Sequence, residues 1–351
     1  MNISIDTYRR AAFLVALLMA STALAQQSSP PAKPGGGAIR LDVVVTPGSG
    51  PPVSDLQQHD FTILDNKVPQ AITSFQAISQ REDPLDVILV VDAVNADYST
   101  VAFERDQIDE FLRADGGELS HPLSLSVLTD TGLRNLEDFS RDGNKLSASL
   151  DGYTVSLHSI THSSGVYGAS ERFALSLQAL HDLVQREAPR PGRKIMIWVS
   201  PGWPLFSAPM VVLSSKEQQQ LFADIVGMSM DLWKSRVTLY SIDPVGTGGN
   251  VIRASYWQSF LKGVSKPNQV VPGNLSLQVL ATQSGGVAFY INNNITALLQ
   301  SCLADARAYY EISFDPPAGG GAIEYHHLEV QVAKHGLTAR SRQGYYSLPA
   351  L

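Results

Sequence analysis

Residues 85–95 read LDVILVVDAVN, and this stretch decides the fold. Six of its first eight residues are apolar and run together without the alternation of a half-buried strand. That pattern suits a strand covered on both faces inside a parallel sheet, with Asp92 at its carboxyl end. Outward from it, Val101, Ile108, Phe111 and Leu112 fall on one helical face, residues 123–128 read as a second strand, and Asp130-Thr131-Gly132 turns into a short return strand over 133–139. Phe173, Leu177, Leu180 and Val184 mark a helix that stops before Pro189, and KIMIWV at 194–199 is another buried strand, ending in Ser200-Pro201-Gly202-Trp203. Ser214 and Glu217 have capping-box spacing ahead of the stripe Leu221, Ile225, Met228 and Leu232. VTLYSI at 237–242 closes at Asp243-Pro244, and the Gly, Asn, Pro and Ser of 246–273 read as a long surface excursion. A helix over 275–284, a strand over 287–291 and a helix striped by Ile295, Leu298, Leu299, Cys302, Leu303 and Ala306 complete the series. Strands alternating with helices from 84 to 307 predict a parallel sheet with helices on both faces.

Further out the period changes to two. Residues 39–45, 61–64 and 71–78 before this region, and 310–314, 328–332 and 339–346 after it, read as strands separated by turn chemistry. Neither terminal set has enough strands to be stable alone. The expectation is therefore one antiparallel β domain built from 39–80 and 308–347, of β-sandwich type, with the α/β domain at 84–307 inserted in it. At the N-terminus Arg9 and Arg10 precede an apolar run over 11–20 and the triplet Ala23-Leu24-Ala25, the pattern of a cleaved signal peptide over 1–25. QQSSPPAKPGGG follows as a flexible linker over 26–38. The expected location is therefore secreted, periplasmic or extracellular, with no membrane span after signal cleavage.

Composition narrows the chemistry. With 351 residues, a formal net charge of -7, 44% hydrophobic and 17% charged residues, the chain is a globular protein without the clustered Lys and Arg that nucleic acid requires. One cysteine, Cys302, excludes an intrachain disulfide and any multi-cysteine metal site. No G-x-S-x-G, H-E-x-x-H or P-loop motif occurs. His326 and His327 are neighbours in a strand and so face opposite ways, His158 and His162 fall in a loop-like segment, and Ser163-Ser164 beside His162 has no acid in fixed relation to it. Cys302 lies on an apolar stripe and reads as a buried, inert thiol.

These stretches together resemble a known family. LDVVVTPGSGPPVSDLQQHDFTILDNKVPQAITSF at 41–75, DVILVVDAVN at 86–95, GRKIMIWVSPGWP at 192–204, RVTLYSIDPVG at 236–246, SGGVAFYINN at 284–293, YYEISFDP at 309–316 and RSRQGYYS at 340–347 follow the order seen in bacterial von Willebrand factor type A (VWFA)-related domain proteins abundant in Acidobacteria. The resemblance implies a VWFA (Rossmann-like) sheet. It also implies a divalent cation at the strand ends, held by Asp-x-Ser-x-Ser, a later Thr and a later Asp. Only the first slot, Asp92, is filled. Val94 and Ala96 replace the two serines, Thr161 is a loose match to the threonine, and Ser200-Pro201-Gly202 offers no acid.

A displaced cation site would draw on Asp92, Asp97, Asp130 and Asp243, all at or just beyond strand carboxyl ends, although acids in turns and at helix starts are commonly just solvated. No resident cofactor is expected, a divalent cation such as Mg²⁺ being the one candidate. Ser200-Pro201-Gly202-Trp203-Pro204-Leu205-Phe206 combines rigid prolines with two aromatics, so Asn95, Ser200, Trp203 and Phe206 are the partner-contact candidates, with packing of Trp203 and Phe206 under the 246–273 segment as the alternative. The expected function is a secreted, non-enzymatic VWFA-like binding or adhesion module for a protein or polysaccharide partner, with a degenerate metal-ion-dependent adhesion site. The alternatives are a secreted hydrolase working near Asp92 and a structural protein of envelope assembly.

Overall fold

Every residue of the strand Leu85–Asp92 (β5) except Asp86 is buried, because its two faces feed two different cores. Ile88 and Val90 join Met196, Trp198 and Leu239 on one side, while Val87, Leu89 and Val91 join Ile195, Ile197 and Ile242 on the other. Each such side chain contributes about 1.5–3 kcal/mol by leaving water. A strand clothed on both faces has no place for polar alternation, which is why 85–91 is nearly unbroken apolar sequence.

The structure is a computed structural model and describes residues 37–48, 50–79, 85–152, 165–204, 213–246, 255–317 and 323–347. Before β5 lie β1 (Ile39–Pro47), β2 (Phe61–Asp65), β3 (Val68–Gln70) and β4 (Ile72–Ser79). After it come α1 (Tyr98–Arg113), β6 (Glu118–Thr129), β7 (Gly132–Asp142), α2 (Gly143–Gly152), α3 (Gly165–Glu187), β8 (Arg193–Val199), α4 (Ser215–Lys234) and β9 (Val237–Ile242). The chain continues through α5 (Leu277–Gln283), β10 (Ala288–Phe289), α6 (Ile295–Ala304), β11 (Ala308–Phe314), β12 (Glu324–Val332), β13 (Leu337–Arg340) and β14 (Gly344–Ser347).

The central sheet has the order β10-β9-β8-β5-β6-β7, parallel throughout except for the antiparallel edge strand β7. Numbered from β5 as the first strand, this is the doubly wound order 3-2-1-4-5-6, and the winding reverses between β5 and β8. Helices α3, α4 and α5 supply Leu180, Ile225 and Leu280 to the core on one face, and α1, α2 and α6 supply Ile108, Leu146 and Leu298 to the other. Cys302 is buried in that second core. Between α5 and β10 the backbone of Gly286 comes so close that a Cβ there would lie 1.8 Å from the Leu239 carbonyl oxygen, and Gly285 has φ +96°. The glycine pair closes the helix and lets the chain return against β9.

The terminal strands form two antiparallel sheets, β13-β1-β11-β4 and β14-β12-β2-β3. Register is set by apolar cross-strand pairs, Leu41 opposite Ile312 and Val43 opposite Tyr310 in one sheet, Ile63 opposite Val330 in the other. Both sheets feed one core containing Leu41, Ile63, Ile312, Phe314 and Leu328. Asn66 and Lys67, at φ 48° and 69°, make the tight turn of the β2–β3 hairpin.

Three expectations need correction. The helix α2 is absent from the periodicity reading because only Leu146 and Leu150 are large and apolar in its ten residues. Residues 339–346 are two strands in different sheets, because residues 341–343 pass between them and the Gln343 N–H donates to the Gln283 carbonyl (3.0 Å). Within 246–273, the part from 255 onward is no mere surface excursion: Trp257, Val264 and Val270 are buried, the last two in the core beside α4. The signal peptide at 1–25 and most of the linker lie outside the described residues. Among the described residues no helix is long and apolar enough to cross a membrane.

Candidate functional site

The carboxyl ends of β5 and β8 flank the point where the sheet reverses its winding, the place where open α/β sheets bind ligands. Asp92 ends β5 and is fully buried there. Its Oδ1 accepts the backbone N–H groups of Val94 and Asn95, each at 3.0 Å. Its Oδ2 accepts from Asn95 Nδ2 (2.9 Å), Trp198 Nε1 (3.2 Å) and Ser200 Oγ (2.9 Å). Asn95 Nδ2 also reaches Ser176 Oγ on α3 (2.9 Å), and Ser200 Oγ accepts the Gly202 N–H (3.1 Å). Sequence dictates this locally: the strand ends in an acid, and the next three residues form a turn whose free N–H groups point back at it.

A carboxylate offers about four lone-pair directions, and five donors already address this one. The ligand set that the VWFA resemblance implies does not fit here. Val94 and Ala96 have no side-chain oxygen, Pro201 and Gly202 bring no acid, and the one matching carboxylate is held by N–H and O–H donors from four residues of the fold. Thr161, like His158, His162, Ser163, Ser164 and Phe206, lies outside the described residues.

The other acids do not converge on Asp92. Asp97 caps α1, accepting from the Thr100 N–H and Ser99 Oγ at 2.8 Å each, and the Thr100 bond leads the causes that hold its pKa low. Asp130 is exposed in the β6–β7 turn. Asp243 follows β9 and accepts the Val245 N–H (2.9 Å), while burial raises its pKa. Among the described residues no group of three His, Cys, Asp or Glu side chains is placed to hold a metal ion.

One acid escaped the sequence reading. Glu104 of α1 is fully buried, and neither carboxyl oxygen has a hydrogen-bond partner among the described residues. Burial first, and then the charges of Asp92, Asp243 and Asp97, push its pKa well above the usual carboxylate range. The signal was legible, since Glu104 lies three residues after Val101 and four before Ile108 on the buried stripe of an amphipathic helix.

The partner-contact candidates are corrected in part. Trp203 is only 3% exposed and packs edge-on against Trp198 (5.5 Å between ring centroids) and Phe173 (6.5 Å), so it is a core residue. Ser200 is fully buried beneath it as a donor to Asp92. Asn95 is half-buried in the same network. The exposed apolar side chains lie elsewhere on this edge. Tyr98 (71% exposed) starts α1, Tyr167 (80%) starts α3, Val245 follows β9 and Ile291 (61%) follows β10. His326 and His327 do face opposite ways: His327 is exposed, while His326 is buried against Asp65 (2.9 Å) and stacks on Tyr345.

Strand order, the single antiparallel edge strand and the helices on both faces define a VWFA-like α/β domain, here carried by antiparallel sheets from both ends of the chain. Comparison with protein-family models and with curated protein sequences finds no match. Among solved structures the chain is similar to the PilB minor pilin from Streptococcus sanguinis, at 8% identity and a TM-score of 0.37, covering 64% of this chain and 62% of that one. It is also similar to the manganese-loaded TRAP protein of Plasmodium vivax, at 11% identity and a TM-score of 0.36, covering 78% and 98%. BatB from Bacteroides thetaiotaomicron matches at 10% identity and a TM-score of 0.32, covering 63% and 98%. The fold assignment rests on the strand order itself.

Proposed function

We propose that this chain is an exported, non-enzymatic binding module that presents the carboxyl edge of its VWFA-like sheet to a protein or polysaccharide partner. The observation that carries this reading is the placement of exposed apolar side chains. Of the seven large hydrophobic side chains exposed among the described residues, Tyr98, Tyr167, Val245 and Ile291 stand at helix starts or just past strand ends on this one edge. Aromatic and aliphatic side chains left in water around a rigid sheet edge are the composition of an interface. The metal position beside them is degenerate in this proposal. The hydrogen bonds that saturate Asp92 hold the loop after β5 in place without a cation, and they leave that carboxylate neither lone pair nor access for general-base work in a hydrolase. Export is supported by the basic, apolar and Ala-x-Ala sequence of 1–25.

Surface plasmon resonance on the immobilised chain, with a panel of bacterial polysaccharides and purified exported proteins, tests the reading. The strongest saturable binder should lose at least about tenfold in affinity to the double variant Tyr98→Ala, Ile291→Ala and keep its affinity in EDTA. Undiminished binding by the double variant, or loss of binding in EDTA, contradicts the proposal.

A further inference from the structure

At the opposite end of the parallel strands, where the β domain meets α4 and β9, a cavity of about 210 Å³ is lined by Arg40, Asp42, Trp233, Lys234, Arg236 and Arg342, together with Thr238 and Ser284. Its charges are unequally matched. Arg236 donates to Asp42 (2.8 Å) and to Glu311 (2.7 Å), and Arg40 donates to Glu311 (3.2 Å), so these four neutralise one another. Lys234 and Arg342 have no ion pair among the described residues. Lys234 is exposed at the last turn of α4, whereas Arg342 is buried.

The surroundings of Arg342 make it unusual. Its Nε donates to the Gly344 carbonyl (3.1 Å) and its Nη2 to the Ser229 carbonyl (3.3 Å), both neutral acceptors, while Nη1 has no acceptor among the described residues. The Trp233 ring lies 5.6 Å away and offers only its π face. Loss of hydration pushes the guanidinium pKa down to about 10, with Tyr325 and Asp42 opposing the shift. A buried cation without an ion-pair partner is costly, and the nearby Asp42 is already engaged by Arg236. An oxyanion in the adjoining cavity supplies the charge that these neutral acceptors lack.

We propose that this cavity is an oxyanion site, taking a phosphate-type dianion between the Arg342 guanidinium and the Lys234 ammonium. Two unmatched positive charges on separate elements match a doubly charged tetrahedral anion better than a single carboxylate, and guanidinium and ammonium groups are the usual phosphate partners. The volume exceeds that of the anion alone, so a small phosphate monoester fits the same chemistry. The site lies at the other end of the sheet from the proposed partner surface and does not depend on it.

Isothermal titration calorimetry of the full chain at constant ionic strength tests it, using inorganic phosphate, sulfate, glycerol phosphate and acetate as probes. Phosphate and sulfate should bind saturably at one equivalent, with acetate weaker by at least about tenfold. Glycerol phosphate binding as well as phosphate identifies an ester-accepting site, and its exclusion identifies a site for the free anion; either result keeps the proposal. Lys234→Ala, at an exposed position, should weaken phosphate binding at least about fivefold without moving the thermal midpoint. Arg342→Met should abolish binding, with circular dichroism reporting its fold. The absence of saturable heat from both phosphate and sulfate at millimolar concentration, or unchanged binding by Lys234→Ala, overturns the proposal.

Discussion

Two acids on either side of one helix start show how environment divides roles among identical groups. Asp92 is buried with five donors around it and stays a structural acceptor, while Glu104 is buried with none among the described residues. For Glu104 the folded chain favours the protonated acid, whose ordinary value is 4.5. A carboxyl whose folded pKa is raised contributes its full stability below the unfolded value and loses it as pH rises toward the folded one. Replacing it with the similarly shaped, uncharged Met should remove that loss. Urea denaturation of Glu104→Met and the natural chain should show an advantage for the variant already near pH 4, about 1–3 kcal/mol on the scale of an unsatisfied buried polar group, and that advantage should grow as pH rises through neutrality. A variant less stable at neutral pH would show that Glu104 has a partner supporting its charged form. Trp203 teaches the complementary lesson. A tryptophan flanked by prolines after a buried strand reads equally well as surface or core, and only the positions of Trp198 and Phe173 decide it.

At the scale of elements, legibility followed the strength of the local signal. The double-sided burial of β5, β8 and β9 writes itself as unbroken apolar sequence, and the sheet was readable from it. The start of α4 was equally plain: the Ser214 Oγ accepts the Glu217 N–H (3.3 Å) and the Glu217 carboxylate accepts the Ser214 N–H (2.7 Å), a reciprocal capping box. Ser214→Ala leaves an orphan donor at the helix start and should cost about 1 kcal/mol in urea denaturation, whereas no measurable change would mean that another group caps α4. Helix α2 escaped notice because two large apolar residues make no stripe. The division of 339–346 into β13 and β14 was invisible because the polar run Arg340-Ser341-Arg342-Gln343 contains no proline or glycine to mark a break, although the chain changes sheets there. What moves the chain across is tertiary, including the Gln343 bond to Gln283 and the burial of Arg342 against Trp233. The candidate site was half legible: Asp92 and its missing partners could be read, but the closure by Trp198 and Ser200 joins residues about a hundred positions apart.

Across the whole molecule, one lone cysteine buried in the core leaves the union of distant strands to non-covalent forces. Cross-strand pairs join β1 to β11 and β2 to β12, and the core they share excludes water. Ion pairs fix this assembly to the α/β domain: Arg236 holds Asp42 and Glu311 from opposite strands, and Arg340 holds Asp305, whose carboxylate also accepts from the Tyr240 hydroxyl (2.6 Å). The two ends of the parallel sheet thereby acquire different characters. One is charge-rich and locked to the β domain, and the other carries exposed apolar side chains around a closed hydrogen-bond network. On the proposed reading this second end works without a metal ion because the fold itself saturates Asp92. Calorimetric titration of the full chain with Mn²⁺, beside the Asp92→Asn variant, tests it most directly. No saturable heat is expected from either protein; one equivalent of Mn²⁺ bound by the natural chain and lost in Asp92→Asn would show a working cation site.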